Sequence, residues 1–214
     1  MSSFSFNNVN HVLCLGAHAD DIEIGCGATI LKLLAANAQL KVTWIVLSAD
    51  GLRIAEARKS GSFFLRTAAE HAIEVLDFPD RYFPSVWPQM KDYFSRLATR
   101  IDPDLIFTHR LEDRHQDHRL TAELTWNAFR RHTILEYEIP KYEGDLGHPN
   151  VFVSLAESEV ASKLELLWDC FPSQHDKPWY RPETFRSLMT LRGVEAGPST
   201  TYAEAFYARK LFFE

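Results

Sequence analysis

Cysteine is scarce: only Cys14, Cys26 and Cys170 occur in 214 residues. They are too few and too scattered for a disulfide framework, and an odd number argues against full pairing, which fits a reducing cytoplasm. No apolar run approaches the roughly 20 residues that span a bilayer. The opening MSSFSFNNVNH lacks the basic and apolar regions of a signal peptide. The expectation is a soluble cytoplasmic protein with no integral membrane segment. Nor is there a block of one charge sign. Lys and Arg number 23 against 29 Asp and Glu, and the net charge of −6 is spread along the chain. That leaves no electrostatic footprint for nucleic acid or an anionic membrane surface. Repeats, low-complexity tracts and linkers are also missing. Residues 1–214 therefore read as one domain, with 46% hydrophobic residues to build its core.

What is present alternates. The short apolar or β-branched runs Val12–Ala17, Val42–Ser48 and Leu105–Thr108 are each followed by helical spacing. Helices are expected over 25–37, 55–76, 86–100, 117–132, 157–171 and 182–192. Later strands are expected at Thr133–Ile139 and Val151–Leu155, separated by the Gly- and Pro-bearing loop KYEGDLGHPN, of a length suited to binding. This predicts an α/β fold: a Rossmann-like, doubly wound sandwich with a mainly parallel sheet and helices on both faces. GCGATI at the first helix lacks the third glycine of a dinucleotide fingerprint and follows an acidic pair where a pyrophosphate would lie, so its glycines read as close-packing residues.

In such sheets ligands collect beyond the carboxyl ends of the strands. His18, Asp20 and Asp21 follow the first strand in GAHADDIEIGCG, and His109 ends a later strand before EDRHQDH. Adjacent aspartates after a strand also serve as helix caps, and a lone histidine there also serves as a solvated helix-start residue. The coincidence of two acid-and-histidine clusters at one sheet edge is what favours chemistry. His18, Asp21 and either His115 or His118 would form a set of two histidines and a carboxylate with coordination positions left open, which zinc and ferrous iron both accept.

These motifs, AHADDIE and HQDH preceded by Asp113-Arg114, resemble the A-H-P-D-D-x-E and H-P-D-H motifs of the LmbE-like, or PIG-L, family of metal-dependent N-deacetylases, and PNVFVSL and YAEAF extend the likeness over nearly the whole chain. The resemblance implies one zinc per chain, or Fe2+ or another divalent metal, held by His18, Asp21 and His118. Asp20 would be the general base. His115 would act on the developing oxyanion and the leaving amine, with Asp117 orienting its imidazole and favouring the imidazolium. The implied substrate is a small-molecule N-acetylglucosamine-type amino sugar or glycoconjugate, with the oligomeric state left open.

The chain departs from the family pattern in two places. Ala19 stands where proline is usual, removing a φ restraint while leaving each ligand in place. Ser48-Ala49-Asp50-Gly51-Leu52 stands where glycine then glutamate is common. Arg66 is a candidate substrate contact, with Arg58 competing. Loops 50–66, 140–150 and 173–182 would hold the sugar through Asp50, Arg66, Glu143, His148, Trp179 and Tyr180. Two other functions fit the residues: a metal-dependent phosphoesterase, which would need Asp113 or Glu23 as bridging carboxylates, and a non-catalytic sugar- or nucleotide-binding module.

Overall fold

The computed structural model describes Phe6 and residues 8–211; most of the stretch read for signal-peptide features lies outside them. Among these residues seven strands form one sheet: β1 (His11–Gly16), β2 (Lys41–Val46), β3 (Glu70–Val75), β4 (Leu105–Thr108), β5 (Thr133–Tyr137), β6 (Val151–Leu155) and β7 (Tyr202–Tyr207). Six α-helices accompany them: α1 (Asp21–Ala36), α2 (Gly51–Phe64), α3 (Trp87–Arg100), α4 (Gln116–Ala128), α5 (Glu157–Cys170) and α6 (Pro182–Ala196).

The sheet order is β3-β2-β1-β4-β5-β7-β6. The first five strands in that order pair in parallel, and β7 runs antiparallel between β5 and β6. β1 is the middle of the five parallel strands, which is why HVLCLG is apolar on both faces: a parallel strand covered by helices on each side has no solvent face to make polar. Alternate residues feed opposite cores. Val12 and Cys14 join Ile22, Phe64, Leu164 and Met189 under α1, α2, α5 and α6. Leu13 and Leu15 join Met90, Phe94, Leu120 and Leu124 under α3 and α4. From β1 the chain winds outward to β2 and β3, then returns to the other side at β4. The switch point therefore lies between the carboxyl ends of β1 and β4, where both acid-and-histidine clusters begin.

Two expectations need correction. The helix expected over 55–76 ends at Phe64, and Glu70–Val75 is strand β3. As an edge strand with its first three residues exposed, EHAIEV lacks the apolar run that marks an interior parallel strand, and its spacing blends into the helix before it. β7 escaped notice because YAEAFY carries an acid in its middle. That acid, Glu204, is buried and takes Lys163 Nζ at 2.6 Å and the amides of Ala28 and Thr29 at 3.0 and 2.7 Å. Lys163 Nζ also donates to Ile24 O at 2.6 Å, so β7 and α5 together fix the axial position of α1.

The first turns of α1 close tightly onto the sheet. A Cβ on Gly25 would lie 2.2 Å from Tyr137 Cδ2, and one on Gly27 would lie 2.8 Å from Phe64 Cε1. Tyr137 cannot retreat easily, because its hydroxyl donates to Leu15 O at 2.6 Å. Gly25→Ala thus sets helix propensity, which favours Ala by roughly 0.5–1 kcal/mol, against overpacking, which costs typically about 1–3 kcal/mol. The clash should win. A Tm lowered by several degrees in thermal unfolding is the expected result, and an unchanged or raised Tm would show that α1 is free to lift.

Candidate active site at the switch point of the sheet

The site is built from the loops at the carboxyl ends of β1 to β5, with residues 174–179 closing one side. Together they enclose a cleft of about 570 Å³. The turn after β1 is drawn in by Asp21, the first residue of α1, whose Oδ2 accepts the His18 amide at 2.7 Å. Three imidazoles converge on the same oxygen: His109 Nε2 at 3.0 Å, His18 Nδ1 at 3.4 Å and His118 Nε2 at 3.6 Å. His18 Nδ1 and His118 Nε2 are 3.2 Å apart. Asp20, at the N-cap of α1, makes no capping bond with its side chain. Its carboxylate instead faces Arg53 Nη2 at 2.9 Å, and Arg53 is steadied by Glu56 Oε2 at 3.1 Å.

The donor set suits a divalent metal. Ligands about 2.1 Å from a tetrahedral zinc stand roughly 3.4 Å from one another, and the three separations among His18 Nδ1, Asp21 Oδ2 and His118 Nε2 span 3.2–3.6 Å. Each histidine is gripped from behind by a carboxylate that presents its free nitrogen to the centre. His118 Nδ1 lies 3.0 Å from Asp113 Oδ2, which also takes Lys141 Nζ at 2.8 Å. His18 Nε2 lies 3.2 Å from Asp117 Oδ2 and 3.0 Å from Asp80 Oδ1. His109 points the same way. It accepts the Ala17 amide at 2.9 Å through the nitrogen that faces Asp21, while its Nδ1 is buried without a partner. An acceptor pair at 3.0 Å calls for a cation or a shared proton nearby.

Burial, together with the neighbouring His109, pushes the His118 imidazole down to about 3, leaving its lone pair available near neutral pH. Asp20 is raised above the ordinary carboxylate value, chiefly by burial and further by Asp21, with Arg53 opposing. His115 is lowered by burial and by His18 more than Asp117 raises it, so the imidazole is favoured over the expected imidazolium.

Asp117 also differs from expectation. Its carboxylate does not orient His115. It accepts Arg81 N at 2.6 Å, Phe83 N at 3.1 Å and His18 Nε2. His115 caps α4 and is aligned instead by the Asp117 backbone amide, which donates to His115 Nδ1 at 3.3 Å and leaves the proton of a neutral ring on Nε2. The hold on residues 81–83 has a local cost: Arg81 sits at φ 69, a left-handed conformation that costs a non-glycine residue on the order of 1–3 kcal/mol.

The GlcNAc-PI de-N-acetylase family, PIG-L, matches residues 13–129. The chain is 31% identical to the uncharacterized deacetylase YaiS of Escherichia coli K12 over 179 residues, covering 76% of this chain and 91% of that protein. The chain belongs to the PIG-L, or LmbE-like, family of metal-dependent deacetylases. Several solved structures share the fold, two of them as follows. The conserved protein TT1542 from Thermus thermophilus matches with a TM-score of 0.77 at 20% identity, covering 96% of this chain and 97% of that one. The N,N'-diacetylchitobiose deacetylase from Pyrococcus horikoshii, complexed with its inhibitor MPG, matches with a TM-score of 0.69 at 20% identity, covering 95% and 85%.

In this PIG-L chain the six motif residues His18, Asp20, Asp21, His115, Asp117 and His118 meet at one place. Asp50, Glu143 and Trp179 line the cleft, whereas Tyr180 is a core residue donating to Leu167 O at 3.0 Å, and His148 lies outside the lining. Arg66 is elsewhere: it donates to Phe63 O at 2.9 Å and borders a separate shallow cavity with Lys59 and Glu165. Besides Arg81, the arginine that lines the cleft is Arg53, in the first turn of α2. Its signal was the spacing from Glu56, with which it makes an i, i+3 pair. Asp80, Arg81 and Lys141 were also passed over, because their loops carry turn residues that look alike whether they serve a site or not. Glu23 and Asp113 are not placed as metal bridges: Glu23 is fully buried, and Asp113 lies behind His118.

Glu23 is unusual for another reason. Neither carboxylate oxygen has a hydrogen-bond partner, and burial raises its pKa from 4.5 to about 8, with the Arg53 charge offsetting part of the rise. A carboxyl that stays protonated in the fold but ionises in the unfolded chain lowers stability as pH rises through 4.5 to about 8, by at most about 1.4 kcal/mol per pH unit. Glu23→Gln removes that effect. In urea unfolding at pH 5 and pH 8, the variant's stability relative to wild type should increase at the higher pH by on the order of 1 kcal/mol or more. A difference that stays constant between the two pH values would show that Glu23 is ionised in the native protein.

Proposed function

We propose that this chain hydrolyses the N-acetyl group of an N-acetylglucosamine-type amino sugar or glycoconjugate, giving acetate and a free amine, with zinc held by His18, Asp21 and His118. The observation that carries the reading is the uncapped, buried carboxylate of Asp20 beside a donor set of metal-binding spacing. When bound, the metal polarises the amide carbonyl and lowers the pKa of a water towards about 7. Asp20, excluded from the donor set and raised above its usual range, takes the proton of the attacking water as general base. Arg53 fixes its orientation. His115, with Nδ1 occupied by the Asp117 amide, offers Nε2–H to the carbonyl oxygen as charge develops there and then to the departing nitrogen. A neutral imidazole is sufficient for that donation, and the proton taken up by Asp20 can be passed on when the C–N bond breaks.

The cleft lining supports the sugar. Trp179 and Tyr142 provide aromatic surface, and Asp50, Asp80, Arg81 and Glu143 provide hydrogen-bonding groups around it. A pyranose has that pairing of apolar faces and hydroxylated edges. A flexible acetyl-lysine side chain would use little of it. An N-acetylglucosaminide should therefore release acetate with a kcat/KM at least about tenfold above that of an acetylated lysine peptide, roughly 1.4 kcal/mol of transition-state binding. Acetate and free amine measured together decide this, and a preference for the peptide would overturn it.

The roles separate by mutation. His118→Ala should lose most of its metal, read by elemental analysis of the purified protein, whereas Asp20→Asn should keep it and lose about 10²–10⁴-fold in kcat with little change in KM. Equal metal in His118→Ala and wild type would remove His118 from the ligand set.

A further inference from the structure

The cleft has an uneven charge distribution around its mouth. Four cationic side chains line it, and three are engaged: Arg53 with Asp20 and Glu56, Lys141 with Asp113 and Asp145, and Arg81 with Asp80. Lys177 is the remaining one, 5.8 Å from the Trp179 ring. Against it stand Asp50, Asp77 and Glu143, all exposed and, among the described residues, with no ion pair. These three come from different loops, after β2, β3 and β5, so negative charge borders the opening on several sides.

The helix starts at the cleft add to that negative charge. Three helices start at the cleft, and a helix N-terminus is where a phosphate would ordinarily bind. Each start carries a carboxylate at its N-cap or in its first turn: Asp20 and Asp21 on α1, Asp50 on α2 and Asp117 on α4. The Asp117 oxygens accept Arg81 N and Phe83 N.

We propose that this acidic rim selects amino sugars without phosphate, either neutral or bearing a free ammonium group, and turns away nucleotide-linked and phospholipid-linked N-acetylglucosamine. The inference rests on the deacetylase reading and narrows its substrate class. Like-charge repulsion at a cleft mouth acts on approach and on binding, and salt weakens it as the screening length falls from about 30 Å at 0.01 M to about 10 Å at 0.1 M. The amine released by each turnover becomes an ammonium group, so a product bearing several such groups would suit the same rim.

The test compares acetate release from neutral N,N'-diacetylchitobiose, N-acetylglucosamine 1-phosphate and uridine diphosphate N-acetylglucosamine by the metal-loaded protein. At about 10 mM salt the neutral sugar should exceed both phosphorylated ones in kcat/KM by at least about tenfold, and the ratio should shrink as salt is raised to about 300 mM. The Asp50→Lys, Glu143→Lys double variant should raise kcat/KM for the diphosphate relative to the neutral sugar by about tenfold. A diphosphate substrate as good as the neutral one at low salt overturns the inference while leaving deacetylation intact. A preference that is insensitive to salt also overturns it, and this arm needs no variant. No acetate from any of the three overturns the deacetylase reading itself, and the inference with it.

Discussion

One oxygen, Asp21 Oδ2, organises the active end of this protein. It receives the amide of His18 and faces three imidazoles, and those groups come from the turn after β1, the end of β4 and the first turn of α4. Whatever moves α1 moves that oxygen. The helix is accordingly fixed at both levels: Gly25 and Gly27 let it lie against Tyr137 and Phe64, and the buried Lys163–Glu204 pair ties its backbone to α5 and β7. A buried ion pair is an indifferent source of stability, because desolvation offsets much of the attraction. Here its value lies in position, since the pair makes three hydrogen bonds with the backbone of α1 and leaves the helix little freedom to slide.

Stability has been given up locally to keep charge in place. Glu23 is buried without a partner, Arg81 is held left-handed, and His109 has an unsatisfied nitrogen. All three lie within or next to the loops that carry the acid-and-histidine clusters. Strain and unsatisfied groups persist where surrounding structure over-determines them. The two hydrophobic cores on either side of β1 provide that excess.

The interior of the fold was legible in the sequence because buried parallel strands must be apolar on both faces. β1, β2 and β4 satisfy that rule, and the acid-and-histidine clusters stand just beyond β1 and β4. Where a strand need not be apolar, the pattern was silent: β3 is an exposed edge, and β7 holds Glu204 for a contact 176 residues away in the chain. The site divided along the same line. The residues of the two acid-and-histidine motifs stood out at short spacing, His18 to Asp21 and His115 to His118. Residues chosen to steady those, such as Arg53, Asp80 and Lys141, are set by three-dimensional proximity, and no local spacing records it. Arg66 and the carboxylate of Asp117 were misplaced for that reason: one belongs to a helix end that turns away, and the other is claimed by the loop containing Arg81.

The 140–150 loop is anchored at its base and open at its tip. Lys141 and Asp145 are bound together, Arg110 and Arg114 hold Asp145, and Arg192 holds Gly147, whose place a larger residue could not take without displacing Arg110 and Tyr207. Tyr142 and Glu143, between those anchors, are exposed. The same Lys141 that secures the loop also secures Asp113 and, through it, His118. Sequence change can therefore accumulate at the two tip positions without disturbing the reactive centre. Drift in what the protein recognises is uncoupled from drift in what it does, and a lineage carrying this loop could acquire new substrates before it risked its chemistry.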